Sequence, residues 1–155
     1  MKLGGVRPPV NVKTLVLERE GNKPLVFKAG AITDMSEFDR LCPEPVPPDM
    51  LKRGEKVPNY KDKGYLLAVS QQSGKRMNYI ILTSLKATEN LEWSTVDYGD
   101  PSTWENWRKE CLEAGISLFE VNRIVALVID ANGLNDQLLD AAKASFLAEQ
   151  AETHE

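Results

Sequence analysis

The strongest constraint on how this chain folds is the punctuation of its last third, where cap residues bracket helices almost to the residue. Asp100-Pro101 opens a helix, and Ala114-Gly115 closes it. Proline is well placed at a first helical position, because the N–H it lacks would have no intrahelical acceptor there. Gly115 supplies the left-handed residue on which helices commonly end. Ser117 and Glu120 then have the spacing of a capping box, and Asn132-Gly133 ends the segment they open. Asn135-Asp136 opens a third. The caps predict helices over Pro101 to Glu113, Leu118 to Ala131 and Asp136 to about Ala148.

Each of these segments has an apolar face. Trp104, Trp107, Cys111 and Leu112 lie on one side of the first. Phe119, Val121, Ile124, Val125 and Val128 are the expected buried set of the second, and Leu138, Leu139, Ala142, Phe146 and Leu147 that of the third. Upstream, Tyr65, Leu66, Val69, Met77, Ile80, Ile81 and Leu85 recur at three- and four-residue steps, which predicts a long helix from about Asn59, its candidate cap, to Lys86. Gly64 and Gly74 each weaken such a helix by about 1 kcal/mol relative to alanine. The alternative is a break at Gln71 to Arg76 that makes two antiparallel helices; one helix is the favoured reading. Leu91, Trp93, Val96 and Tyr98 pin the connection over residues 87–99 to the helices.

The first third is different. Gly4, Gly5, Pro8 and Pro9 mark an extended arm over residues 1–11, and residues 12–29 read as a β-hairpin turning at Glu20-Gly21-Asn22-Lys23. An isolated hairpin is marginal in water, so it must lie on the helices or add to another chain's sheet. Thr33 or Asp34 caps a short helix through Leu41, with Met35, Phe38 and Leu41 on one face. The prolines between Pro43 and Pro48 enforce an extended spacer or docking strip. The basic cluster from Lys52-Arg53 to Lys63 reads as a solvated flexible segment. The fold class expected is mostly α: a small helical bundle of one long helix and three short capped C-terminal helices, with an N-terminal β-hairpin. Residues 1–58 (arm, hairpin, short helix, link) and 59–155 (bundle) form one compact domain.

Chemistry is scarce. The only histidine is His154 at the chain end, so neither a nucleophile triad nor a zinc site of ordinary ligands can be assembled. Cys42 and Cys111 are far apart and read as small buried thiols. The carboxylate pairs Glu18 with Glu20 and Glu110 with Glu113 fall on expected solvent faces, and no glycine-rich phosphate loop is present. With 19 basic and 23 acidic residues well mixed, no footprint for nucleic acid stands out. No apolar run approaches the roughly 18 residues of a membrane span, and the N-terminus lacks a secretion signal's apolar segment. The expectation is a cytoplasmic non-enzyme without cofactor or metal. Its candidate partner-binding residues are the aromatics Trp104, Trp107, Phe38 and Tyr60. Each has two readings, core and partner contact.

The order of features carries a resemblance. Phe27-Lys28-Ala29 and Asp34-x-x-Glu37-Phe38-x-x-Leu41-Cys42-Pro43-x-Pro45 lead through a proline-rich link to Tyr65 and a long helix ending near Leu82-Thr83-Ser84-Leu85. Then come Trp93-x-x-Val96-Asp97, Asp100-Pro101-x-Thr103-Trp104-x-x-Trp107, Ala114-Gly115-Ile116-Ser117-x-x-Glu120-Val121, Asn132-x-Leu134 and Phe146-Leu147. Over residues 27–148 this resembles the tail assembly chaperones of long-tailed, siphovirus-like bacteriophages. The resemblance implies a small helical assembly factor, absent from the finished particle, in the cytoplasm of the infected bacterium. It would bind the tape measure protein, help bring tail-tube subunits to it, and possess no short functional motif to carry over. A structural virion protein of a phage head or tail, or another phage protein-binding module, is the alternative, and a homo-oligomer is compatible with either.

Overall fold

The computed structural model describes residues 1–134 and, beyond them, residues 140, 141, 143, 144, 147 and 148. Strands β1 (Val12–Leu17) and β2 (Leu25–Gly30) form an antiparallel hairpin, followed by the short helix α1 (Ser36–Leu41). A second hairpin pairs β3 (Asp49–Lys52) with β4 (Glu55–Pro58). Helix α2 (Lys63–Leu85), a 3-10 turn at Pro101–Thr103, α3 (Asn106–Glu113) and α4 (Leu118–Ala131) complete the described elements. The expectation of a mostly α bundle is overturned. Among the described residues 43% are helical and 16% lie in strands, an α+β chain with two separate two-stranded sheets.

The first hairpin shows why the mixture is stable. In its register Leu17 faces Leu25, Leu15 faces Phe27 and Lys13 faces Ala29, so these odd-numbered residues share one side of the sheet. Leu17, Phe27 and Ala29 are buried there, against α4 and α2. The hairpin thereby borrows a core that two strands cannot build alone. That core is shared: Leu17, Phe27 and Phe38 belong to the same cluster as Ile81, Leu85, Trp104, Val121, Ile124 and Val128.

The helices correct several details. α2 is continuous through Gly64 and Gly74, and its cap is Asp62, whose carboxylate accepts the Tyr65 N–H at 2.9 Å. Asn59 instead accepts the Lys61 N–H in a local turn. Asp34 takes the N–H and hydroxyl of Ser36 at the start of α1. Asp100 does cap, but it caps the 3-10 turn, and the α-helical part begins only at Asn106. Ser117 and Glu120 form the capping box of α4, and Gly115 and Gly133 take the left-handed conformation after α3 and α4. Phe119 is the exception within α4. It is 82% exposed, because Val121, Ile124, Val125 and Val128 define the buried stripe and Phe119 falls outside it. The third capped segment, from Asp136, lies outside the continuously described residues.

Two polar contacts lock hairpin to helix. Asn132, just after α4, accepts the Ile32 N–H on its side-chain oxygen and donates from its amide nitrogen to the Ser84 hydroxyl and the Val128 carbonyl, each at 2.8 Å. Ser84 is 1% exposed and relies on that bond. Near the other end of β1, Arg19 grips Glu120 with both terminal nitrogens, at 2.8 and 3.0 Å.

Asn132→Leu should therefore leave the Ile32 N–H and the Ser84 hydroxyl without partners, and lower the unfolding free energy by about 2–4 kcal/mol in urea titrations. The Arg19 bond, helped by the Ser117 N–H, draws the Glu120 carboxyl down from 4.5 to about 2. A depressed carboxyl stabilises the fold fully above its unfolded value and loses that contribution as pH falls through the folded one. The stability difference between wild type and Glu120→Gln should accordingly narrow below pH 4.5 and close near pH 2.

Candidate protein-binding surface

Of the four aromatic candidates, three are interior. Trp104, Trp107 and Phe38 have 0% exposure and offer a partner no surface in this fold. Phe38, Tyr79 and Trp104 form a trio with ring centres 5.3 to 6.2 Å apart, and the Arg76 guanidinium covers Phe38 at 5.0 Å. Each indole N–H has an acceptor, as buried tryptophans require: Trp104 donates to the Asp97 carbonyl at 3.1 Å and Trp107 to the Asn78 side chain at 3.0 Å. Their spacing of three set both on one face, and that face is the core.

Tyr60 differs. It is 62% exposed and meets Tyr65 edge-on at 5.9 Å. It stands where β4 passes into α2, and large apolar residues of those flanking elements are exposed as well. Met50 and Leu51 of β3, and Leu66 and Leu67 near the start of α2, all present side chains to solvent. No residue of α2 from Lys63 to Asn78 is buried, and no residue of β3 or β4 is. A half-buried stripe, Tyr65, Ala68, Val69 and Gln72, runs along this length of helix. Gln72 donates to the Cys42 carbonyl and so ties that stripe to the proline-rich link.

The second hairpin precedes this helix and has its own turn chemistry. Arg53 and Gly54 both have positive φ, 53 and 83°, which is the two-residue type I′ turn that matches strand twist. Pro58 is tolerated because the alternation of ladder bonds turns its position outward, while the next residue, Asn59, donates to the Pro48 carbonyl at 2.7 Å. The basic segment expected to be flexible is therefore a built hairpin. Its signal was Arg53-Gly54 between short alternating runs, masked by the charges and the flanking prolines. A signal for the exposed leucines was also present. Leu66-Leu67-Ala68-Val69 is a run of four apolar residues, and a helix of 3.6 residues per turn cannot point all of them at one core.

A groove of 470 Å³ lies between β2 and the loop that follows α2, lined by Pro24 to Lys28 and Thr88 to Leu91. Its only ionic feature is the Lys28–Glu89 pair at 2.9 Å, an exposed contact. The two thiols lie elsewhere, buried and unpaired, and burial pushes Cys111, with Glu110 beside it, up to about 12, while burial also raises Cys42. Neither is a thiolate at neutral pH. Among the described residues no three His, Cys, Asp or Glu side chains converge to hold a metal ion, and no helix is long and apolar enough to cross a membrane. His154 lies outside the described residues. No family model, curated protein or solved structure matches this chain.

Trp104→Ala and Trp107→Ala should each cost about 3–5 kcal/mol in chemical denaturation, as core truncations do. Tyr60→Ala should stay within about 0.5 kcal/mol, the range of ordinary surface changes.

Proposed function

We propose that this chain is a non-enzymatic assembly factor of the phage tail assembly chaperone type, acting in the cytoplasm of an infected bacterium. Its work is to hold apolar stretches of the tape measure protein soluble and to help bring tail-tube subunits to it. The observation that carries the reading is the exposure of Met50, Leu51, Tyr60, Leu66 and Leu67, large apolar side chains of the second hairpin, of the turn after it and of the start of α2. A protein with a closed, well-packed core elsewhere leaves such side chains in water where a partner is to cover them. Aromatic and aliphatic anchors of this kind dominate protein-binding energy, and a long helix with an unburied flank lies naturally along another helix. The sequence resemblance supports the same assignment.

A second reading, a structural virion protein, is favoured by one feature only, the outer edge of β1, which is unpaired among the described residues. Mass spectrometry of purified particles separates the two, since stoichiometric presence in the virion selects the second.

Co-expression with a helical tape measure fragment should yield a stable soluble complex. The double variant Tyr60→Ala/Leu67→Asp should weaken that complex by about tenfold or more while leaving the thermal midpoint of the free protein near the wild-type value. Failure of the wild-type protein to bind or solubilise any such fragment would overturn the proposal.

A further inference from the structure

The two outer edges of the β1–β2 hairpin are treated differently by the rest of the chain. Antiparallel strands alternate residues that bond inward to their partner with residues whose backbone groups point outward. The phase is fixed at Lys28, whose N–H donates to the Thr88 hydroxyl and whose carbonyl accepts from it, both at 2.9 Å. Lys28 therefore faces away from β1, and so do the residues in step with it. Its partner Thr14, together with Val12 opposite Gly30 and Val16 opposite Val26, faces outward from β1. The Ala31 N–H bonded to the Asn11 carbonyl confirms the phase.

On the β2 side, Thr88 occupies the edge and the Lys28–Glu89 pair brackets it. On the β1 side, nothing among the described residues pairs with the outward backbone groups of Val12, Thr14 or Val16. Natural edges are commonly blunted by proline, a bulge or an inward charge. Between Val12 and Leu17 there is neither proline nor bulge, and the one inward charge, Lys13, is half-exposed and neutralised by Asp130 at 3.9 Å, so it does not penalise a strand added at this edge. The alternate side chains Val12 and Val16 are β-branched, exposed and suited to cross-strand pairing.

We propose that β1 is a self-pairing edge through which two copies of this chain join β1 to β1, antiparallel, about a two-fold axis at Thr14. The inference is independent of the proposed chaperone role. This register sets Thr14 opposite Thr14 and Val12 opposite Val16 on both sides of the axis, so every outward donor of one β1 meets an outward acceptor of the other. The result is one continuous sheet in the order β2, β1, β1 of the second copy, β2 of the second copy. Charge selects the occupant and the direction. Lys2 and Arg7 precede β1, Glu18 and Glu20 follow it, and the side chains of these residues form no ion pair among the described residues. Antiparallel pairing of two copies brings the cationic end of each to the anionic end of the other. Parallel pairing would place like ends together. In this register the partner's Leu17, the last residue of its strand, lies opposite Asn11, and Pro9 and Pro8 just before it prevent the ladder from running on.

The test uses the full chain. Sedimentation equilibrium should show a concentration-dependent dimer, and hydrogen exchange should show the Val12, Thr14 and Val16 amides exchanging freely when dilute and protected when concentrated. Thr14→Pro removes an outward N–H without touching the internal ladder, and should weaken the dimer about tenfold or more, since the loss counts twice across the axis. Glu18→Lys/Glu20→Lys should weaken it too, and adding Lys2→Glu/Arg7→Glu should restore it. A protein that stays monomeric at high concentration would overturn the proposal. So would a dimer that leaves those three amides unprotected, or protection that arises only on adding a different protein. Because hydrogen exchange is read on the wild-type chain, the answer stands even if Thr14→Pro fails to fold.

Discussion

The side chain of Asn132 is bonded to three parts of the chain at once, and the arrangement of hairpin and helices depends on it. Its oxygen holds the segment leaving β2, its nitrogen satisfies a buried hydroxyl on α2, and the same nitrogen closes the last turn of α4. At the adjacent carbonyl, that of Ala131, Asn11 donates its side-chain amide at 2.9 Å and fixes the start of β1 to the same helix end. Apolar burial supplies the attraction between sheet and helices, but it is not directional. The hydrogen bonds around the end of α4 choose one orientation among those that burial would allow. The Arg19–Glu120 pair does the same at the start of that helix, so β1 is tied near both ends of α4.

This explains which parts of the fold were legible in the residues. Ser117, Glu120, Gly115 and Gly133 act through local backbone geometry, so their roles follow from sequence alone. The first hairpin, likewise, announces itself by alternation and a glycine turn. The second hairpin was not legible in the same way, because its residues are all exposed or half-exposed and no apolar face enforces a period of two. Phe119 misled for a different reason: at 3.6 residues per turn it falls on the face opposite Val121, Ile124, Val125 and Val128, so the helical period itself excludes it from the buried stripe. Asn59 and Asp62 compete as caps within one turn; Asp62 is the one that accepts a helical N–H, that of Tyr65, while Asn59 closes a local turn onto Lys61.

The aromatic residues carry a similar lesson about function. Trp104 and Trp107 drew attention as the largest apolar side chains on a capped helix, yet size and spacing say only that they share a face. Tertiary structure gives that face to the interior and gives each indole N–H an acceptor there. Tyr60, less conspicuous in the sequence, is the candidate that remains at the surface. The leucines beside it stand out only once the helix is seen to carry more consecutive apolar residues than one side can hide.

Helix α2 has its fully buried residues at one end only. Its buried residues begin at Tyr79, so the stretch from Lys63 to Asn78 extends about 24 Å beyond its root, at 1.5 Å per residue. A rod fixed in this way is a cantilever, and a sideways load at its tip becomes a bending moment at its base. The base is occupied by the tilted rings of Phe38, Tyr79 and Trp104, with Arg76 over Phe38, and Gln72 adds a stay to the Cys42 carbonyl at the start of the proline-rich link. Anything that seizes the tip at Tyr60 or Leu67 therefore pulls on the centre of the molecule, and the stiffness of that aromatic footing sets how far the tip can swing.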